Sequence, residues 1–245
     1  MIEYKTIKSR KRKTISLQIK HGLVTVRAPY FVSAAFIEAF IAEKTVWIQK
    51  KVKEQQIVGR ENCNFLDGSI ILFLGTEHTL SIIKDKTSSV HRNSKTNQLI
   101  ITLSHRIYKN ILKESEHNAA TENTLIAKQV KKQLAVFFNK QMNAYLNEHL
   151  SSIAEYTSLY PKSFHVRLYK SRWGSCNNKK ELQFNYLLMM APLWVINYVI
   201  IHELCHLKFM NHSADFWQLV AQFSPDYRLA KQWFKDNQAK LYWHE

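Results

Sequence analysis

His202-Glu203-Leu204-Cys205-His206, with His212 six residues further on, is the stretch of this 245-residue chain whose residue types and spacing can do chemistry. Positions i and i+4 of a helix share a face, so the imidazoles of His202 and His206 can address one cation from adjacent turns. Glu203 is rotated by about 100° from His202. That sets its carboxylate beside a water held by the cation, not on the cation itself, which is where a general base belongs. A catalytic zinc ion takes three protein donors and leaves a fourth position to water, and His212 is the natural third donor. Its spacing equals that of H-E-x-x-H-x-x-G-x-x-H, except that Phe209 stands at the glycine position. A left-handed turn at Phe209 is therefore not expected. The helix should run to about Met210, and Asn211 should turn the chain so that His212 swings back.

Two plainer alternatives exist for these histidines. With 11 His and 14 Glu in the chain, chance yields H-E-x-x-H in about 3 of 100 such sequences, and the third His as well in roughly 1 of 1000. Merely buried histidines are thus the weaker account. A structural zinc with Cys205 as fourth donor is disfavoured because the helical angle of Cys205 lies away from the line joining the two imidazoles; a small packing residue fits better.

Other side chains take roles around this centre. Arg172 can bind substrate or stabilise an oxyanion, although Trp173-Gly174 beside it also suits a tight turn against the core. Tyr227 can donate a proton to a tetrahedral intermediate or simply pack. A ligand imidazole needs an acceptor for its second N–H, and Asp215 and Asn185 are the candidates. The run Lys8 to Lys13, five basic residues around Ser9, suits nucleic acid or phosphates as well as a solvated hairpin face.

The elements that must position these residues make an α+β chain of two parts. Ile15, Leu17, Ile19, Val24 and Val26 alternate with polar residues around a His21-Gly22 turn, a hairpin pattern. Ser33 caps a helix carrying Phe36, Ile37, Phe40, Ile41, Trp47 and Ile48, to about Gln55. Apolar runs at Ile70 to Leu74, Thr79 to Ile83 and Gln98 to Leu103 read as strands, separated by Asp67-Gly68, Gly75 and the polar segment Lys84 to Asn97. Residues 1–115 thus form a small basic β-rich domain with one helix. Residues 116–245 form a helical domain with a short sheet. It holds a long amphipathic helix through Ile126, Val130, Leu134, Phe138, Met142 and Leu146, and a hairpin of 164–168 with 182–187. The His202 helix opens at Pro192, and Ser213 and Asp226 cap two more helices.

Composition narrows the class. There are 35 Lys and Arg against 19 Asp and Glu, a formal charge of +16, which draws polyanions without choosing among nucleic acid, nucleotides and acidic protein surfaces. Five Gly and four Pro exclude collagen-like and low-complexity chains. Cys63, Cys176 and Cys205 cannot all pair and match no zinc-ribbon spacing, which suits a reducing, cytoplasmic setting. No apolar stretch reaches the ~20 residues of a membrane span, and the N-terminus lacks a signal-peptide core, so no membrane partner is expected.

Beyond spacing, several segments resemble the YgjP-like metallopeptidase family: His-Glu-Leu-Cys-His-Leu at 202–207, Asn211-His212-Ser213, Phe216-Trp217, Ser171-Arg172-Trp173-Gly174-Ser175-Cys176 and, near the start, Val26-Arg27-Ala28-Pro29. SprT-like and WLM zinc peptidases are more distantly similar. The resemblance covers most of the chain. It implies a zincin-like metallopeptidase domain over 116–245, one zinc ion on His202, His206 and His212, and Glu203 as the catalytic carboxylate. It also implies a sheet edge beside the active-site helix that holds an extended peptide, for which the 164–187 hairpin is the candidate. The expected function is hydrolysis of a peptide or protein substrate through a metal-activated water. Family members are also described as nucleoside-triphosphate pyrophosphatases, which gives an alternative substrate, although the chain has no G-x-x-x-x-G-K-[ST] phosphate cradle. An alternative of another class is a basic nucleic-acid-binding module with a structural metal site.

Overall fold

The computed structural model describes residues 2–20, 23–52, 63–241 and 243. Two compact units, 1–62 and 63–245, each have their own core.

In the first unit, β1 (Tyr4–Ser9), β2 (Ser16–Lys20) and β3 (Leu23–Pro29) form a sheet of order β1-β3-β2. β2 and β3 pair antiparallel, from Ser16 opposite Arg27 to Lys20 opposite Leu23, as the alternation requires; His21 and Gly22 lie outside the described residues. β1 joins β3 in parallel. Val24, Val26 and Ala28 are buried against Ile37 and Ile41 of α1 (Ala34–Glu43) and against Ile48. Ser33 caps α1, its hydroxyl accepting from the Phe36 N–H. The helix does not run unbroken towards Gln55. It stops at Lys44 and resumes over 45–52 as α2, and Gln55 itself lies outside the described residues.

The second unit is built on α4 (Ala119–Thr157), capped by the Asn118 side chain, with Val130, Leu134, Phe138, Met142, Leu146 and Leu150 buried at steps of four. These residues share one core with Leu99, Ile101 and Leu103 of β7 (Gln98–Ser104). β7 belongs to a sheet of order β4-β5-β7-β6 with β4 (Ile70–Phe73), β5 (Thr76–Asp85) and β6 (Ser89–Asn93). A sheet with an apolar face must bury it against another layer. Here that layer includes α4, so the compact units divide at 62/63, not at the expected 115/116. Between residues 63 and 118, two elements fall outside the sequence expectation: β6, a largely polar edge strand inside the Lys84 to Asn97 segment, and the short α3 (His105–Ser115).

A second sheet, of order β8-β10-β9, combines β8 (Ser163–Arg167), β9 (Gly174–Cys176) and β10 (Glu181–Asn185). The expected hairpin of 164–168 with 182–187 is not formed. β8 and β10 run parallel, with Phe164 opposite Leu182, and the hairpin partner of β10 is β9. Asn177 closes that hairpin, its Oδ1 accepting from the Lys179 and Glu181 N–H groups, with Lys180 at φ +61°. A 3-10 turn (Tyr186–Met190) then leads into α5 (Leu193–Cys205), with Pro192 at the N-cap, and α6 (Ala214–Phe223) and α7 (Tyr227–Leu241) follow. Gly75, at φ +77°, lets the β4–β5 turn lie against Pro192, whose Cγ would sit 2.5 Å from an added Cβ. That turn is tied to the 3-10 segment by Leu74 N–H to Met189 O (2.7 Å) and Gly75 N–H to Met190 O (3.0 Å). The start of α5 is thereby fixed. Among the described residues, no helix is long and apolar enough to cross a membrane.

Candidate metal centre

α5 is apolar on nearly every side, with Val195, Ile196, Val199, Ile200, Ile201, Leu204 and Cys205 buried. Its last turn therefore carries His202, Glu203 and His206 into the protein interior. The helix ends at Cys205 with His206 as its C-cap, earlier than the expected Met210. Leu207 N–H bonds to Leu204 O at 2.9 Å, and Phe209 N–H to Cys205 O at 3.1 Å. Neither Phe209 nor Asn211 has a positive φ, so no left-handed residue at Asn211 returns the chain. α6 holds His212 instead: Ser213 caps that helix by accepting from the Phe216 N–H at 3.3 Å, which fixes the residue just before it.

One ring nitrogen from each of His202, His206 and His212 lies within 4.8 Å of the others. The Nε2 atoms of His202 and His212 are 3.1 Å apart, close to the ~3.3 Å edge of a tetrahedron with metal–nitrogen bonds of about 2.05 Å. His206 donates its Nδ1–H to the Phe209 carbonyl at 2.9 Å, leaving the Nε2 lone pair free. Phe216 stacks on His206 (centroids 4.5 Å, 26°) and Trp217 on His212 (5.5 Å, 24°). His206 is buried while His212 is exposed, so the cluster opens to solvent on one side.

The electrostatics suit a cation. Burial, then the neighbouring imidazoles and Lys231, push the His202 pKa down to about 3, and burial lowers that of His206. Both rings are held neutral, the form that binds a metal. Burial pushes the Glu203 carboxyl up to about 8, against an opposing pull from the Arg172 guanidinium. Glu203 Oε2 is buried without a hydrogen-bond partner, at a cost that a metal-bound water would offset. The three imidazoles therefore fit a metal ion.

The structure brings some of the flanking candidates to this centre and not others. Arg172 is exposed, 4.4 Å from the Tyr169 ring centroid, with its charge felt at Glu203. Tyr227 opens α7, stacks on Trp217 (5.4 Å, 22°) and accepts from Arg228 Nε at 3.3 Å, one ring removed from His212. Asp215 is exposed in the first turn of α6 and makes no hydrogen bond to an imidazole among the described residues. Asn185, 1% exposed, has its polar atoms engaged elsewhere. Its amide donates to the Tyr169 and Arg172 carbonyls (2.9 and 3.2 Å) and its Oδ1 accepts from Leu187 N–H (3.1 Å). It braces the loop that carries Arg172 and accepts from no histidine. Asn185→Ala is expected to lower stability by about 1–3 kcal/mol in urea unfolding, with metal content unchanged.

Sequence reasoning missed two partners of the site. The Phe209 carbonyl orients His206, and a backbone group leaves no mark in residue type. Gly174 lies in strand β9, not in a tight turn; a Cβ there would meet Glu203 Oε1 at 2.6 Å, Cγ at 2.7 Å and Cδ at 2.8 Å. Gly174 leaves the space that the carboxylate occupies. With only five glycines in the chain, its rarity is the one signal that could have marked it.

Three imidazoles gathered at an open edge, on and after the helix turn that carries a buried acid, could hold a metal ion in this α+β protein. The model of the family described as YgjP-like, metallopeptidase domain matches residues 13–237, nearly the whole chain, and the chain belongs to that family. No curated protein and no solved structure matches it.

Proposed function

We propose that the protein is a zinc-dependent metallopeptidase in which His202, His206 and His212 hold the ion and Glu203 is the general base. The observation that carries this reading is the convergence of three ring nitrogens, two of them from the helix turn that also carries Glu203, a carboxylate 5% exposed with its pKa raised to about 8. Zinc bound there would supply Lewis acidity, bringing the pKa of a water towards 7 and polarising a substrate carbonyl. Glu203 takes the proton of the water and delivers it to the leaving nitrogen; a bound cation would favour the ionised carboxyl that this role needs, against the burial that raises it in the metal-free protein. Arg172, whose charge is felt at Glu203, would meet negative charge developing on the substrate. β9 is the edge of its sheet and touches Glu203 through Gly174; an extended peptide can add to that edge. Cys205 packs in the core and is not among the groups that converge with the three imidazoles. The free cysteines suit a reducing cytoplasm.

Chelator-stripped protein is expected to lose cleavage of an unfolded protein substrate and to regain it with one equivalent of zinc. Pyrophosphate release from nucleoside triphosphates without proteolysis would move the same centre to phosphoanhydride substrates. Salt-sensitive oligonucleotide binding with neither hydrolysis would leave a binding module with a structural metal.

A further inference from the structure

The first unit carries 13 Lys and Arg against 5 Glu over residues 1–62, a net +8 and half of the chain's +16 in a quarter of its length. Charge alone names no partner. The strand topology adds what composition lacks. Because β1 and β3 pair in parallel, with Ser9 opposite Pro29, both strands end at the same side of the sheet. The basic run after β1 and the aromatic pair Tyr30-Phe31 after β3, twenty residues apart in sequence, therefore emerge together. Three contacts hold them so. Tyr30 N–H donates to Ser9 O at 3.2 Å, Lys8 Nζ donates to Val32 O at 2.7 Å, and the Arg10 guanidinium lies 5.4 Å from the Tyr30 ring centroid. Tyr30 is 63% and Phe31 81% exposed, while Arg10, Lys11 and Lys13 are exposed beside them.

Two outward aromatic rings next to cations that form no ion pair among the described residues match a polyanion that also presents flat, unpaired faces. We infer that the first unit binds single-stranded nucleic acid, with Tyr30 and Phe31 stacking on bases and Arg10, Lys11 and Lys13 holding phosphates. A duplex keeps its bases stacked on one another and offers the rings nothing, and an acidic peptide offers charge without faces. The inference stands apart from the hydrolytic centre and does not depend on its substrate.

The test is fluorescence anisotropy of the full chain with a labelled 20-mer of thymidylate, a duplex of equal length, a polyglutamate peptide and inorganic polyphosphate. The single strand should bind more tightly than the duplex. A Tyr30→Ala/Phe31→Ala double variant should lose single-strand affinity by about tenfold or more, with polyphosphate binding unchanged. Both rings are largely exposed, so the fold should persist, and an unaltered circular dichroism spectrum and melting temperature check this. Lys11→Glu/Lys13→Glu should weaken both ligands and flatten the salt dependence. Equal thymidylate affinity for the double variant and wild type, tighter binding of duplex or polyglutamate, or no binding of the single strand would each overturn the inference.

Discussion

Glu203→Gln is expected to cut kcat by about 100- to 10,000-fold while making the metal-free protein more stable. The first effect follows from losing the carboxylate proposed as the base; Gln cannot accept the proton, yet it fills the same space and leaves the three rings in place, so one equivalent of metal should still bind. The second follows from burial. The carboxyl titrates near 4.5 when unfolded and near 8 when folded, so between those values the native state holds more protons than the unfolded state. Wild-type stability is therefore lost as pH rises through that window, at about 1.4 kcal/mol per unit. Gln has no such loss. The stability difference between variant and wild type should be near zero below pH 4.5 and grow to about 3 kcal/mol at pH 7. His202 carries the opposite dependence, its pKa lying lower in the folded state, but it is present in both proteins and cancels from the difference. Urea unfolding in chelator at several pH values measures this. Full turnover in the variant, or a stability difference that ignores pH, would remove Glu203 from the assigned role.

Such a carboxylate is legible in sequence because its geometry is local. An i, i+4 pair of histidines and the residue after the first are fixed by helix periodicity alone. The strand pattern at 15–26 and the caps at Ser33 and Ser213 are local in the same way, through side-chain alternation and a hydroxyl reaching three residues ahead. His212 was legible as a spacing but not as a path: the helix ends at Cys205, and α6 places the third ring, an outcome decided by the packing of two helices. The pairing direction of β8 and β10 was hidden for a related reason. Alternation states which face is buried and is silent on which strand lies alongside. β6 was hidden because Ser89, His91, Arg92 and Asn93 give an edge strand the composition of a loop. Asn185 reads as a polar residue near the site, and only the carbonyls of Tyr169 and Arg172 around it turn it into a brace.

Gly174→Ala is the substitution in which the tertiary part of the site becomes measurable. The added methyl carbon would lie under 3 Å from three atoms of one side chain, the Oε1, Cγ and Cδ of Glu203. The carboxylate must swing away, and at 5% exposure it has little free space to enter. A displacement of about 1 Å at a reacting group costs about 100-fold in rate. kcat should therefore fall by about that factor or more, with metal content unchanged because the imidazoles project from α5 and from the residue preceding α6. Overpacking should also lower stability by about 1–3 kcal/mol. A double-mutant cycle separates this contact from any conformational demand for glycine: in a Glu203→Ala background the colliding atoms are gone, and Gly174→Ala should then be nearly neutral, giving a coupling of about 1–3 kcal/mol. An equal penalty in both backgrounds would mean that the backbone of β9, and not the carboxylate behind it, requires glycine there.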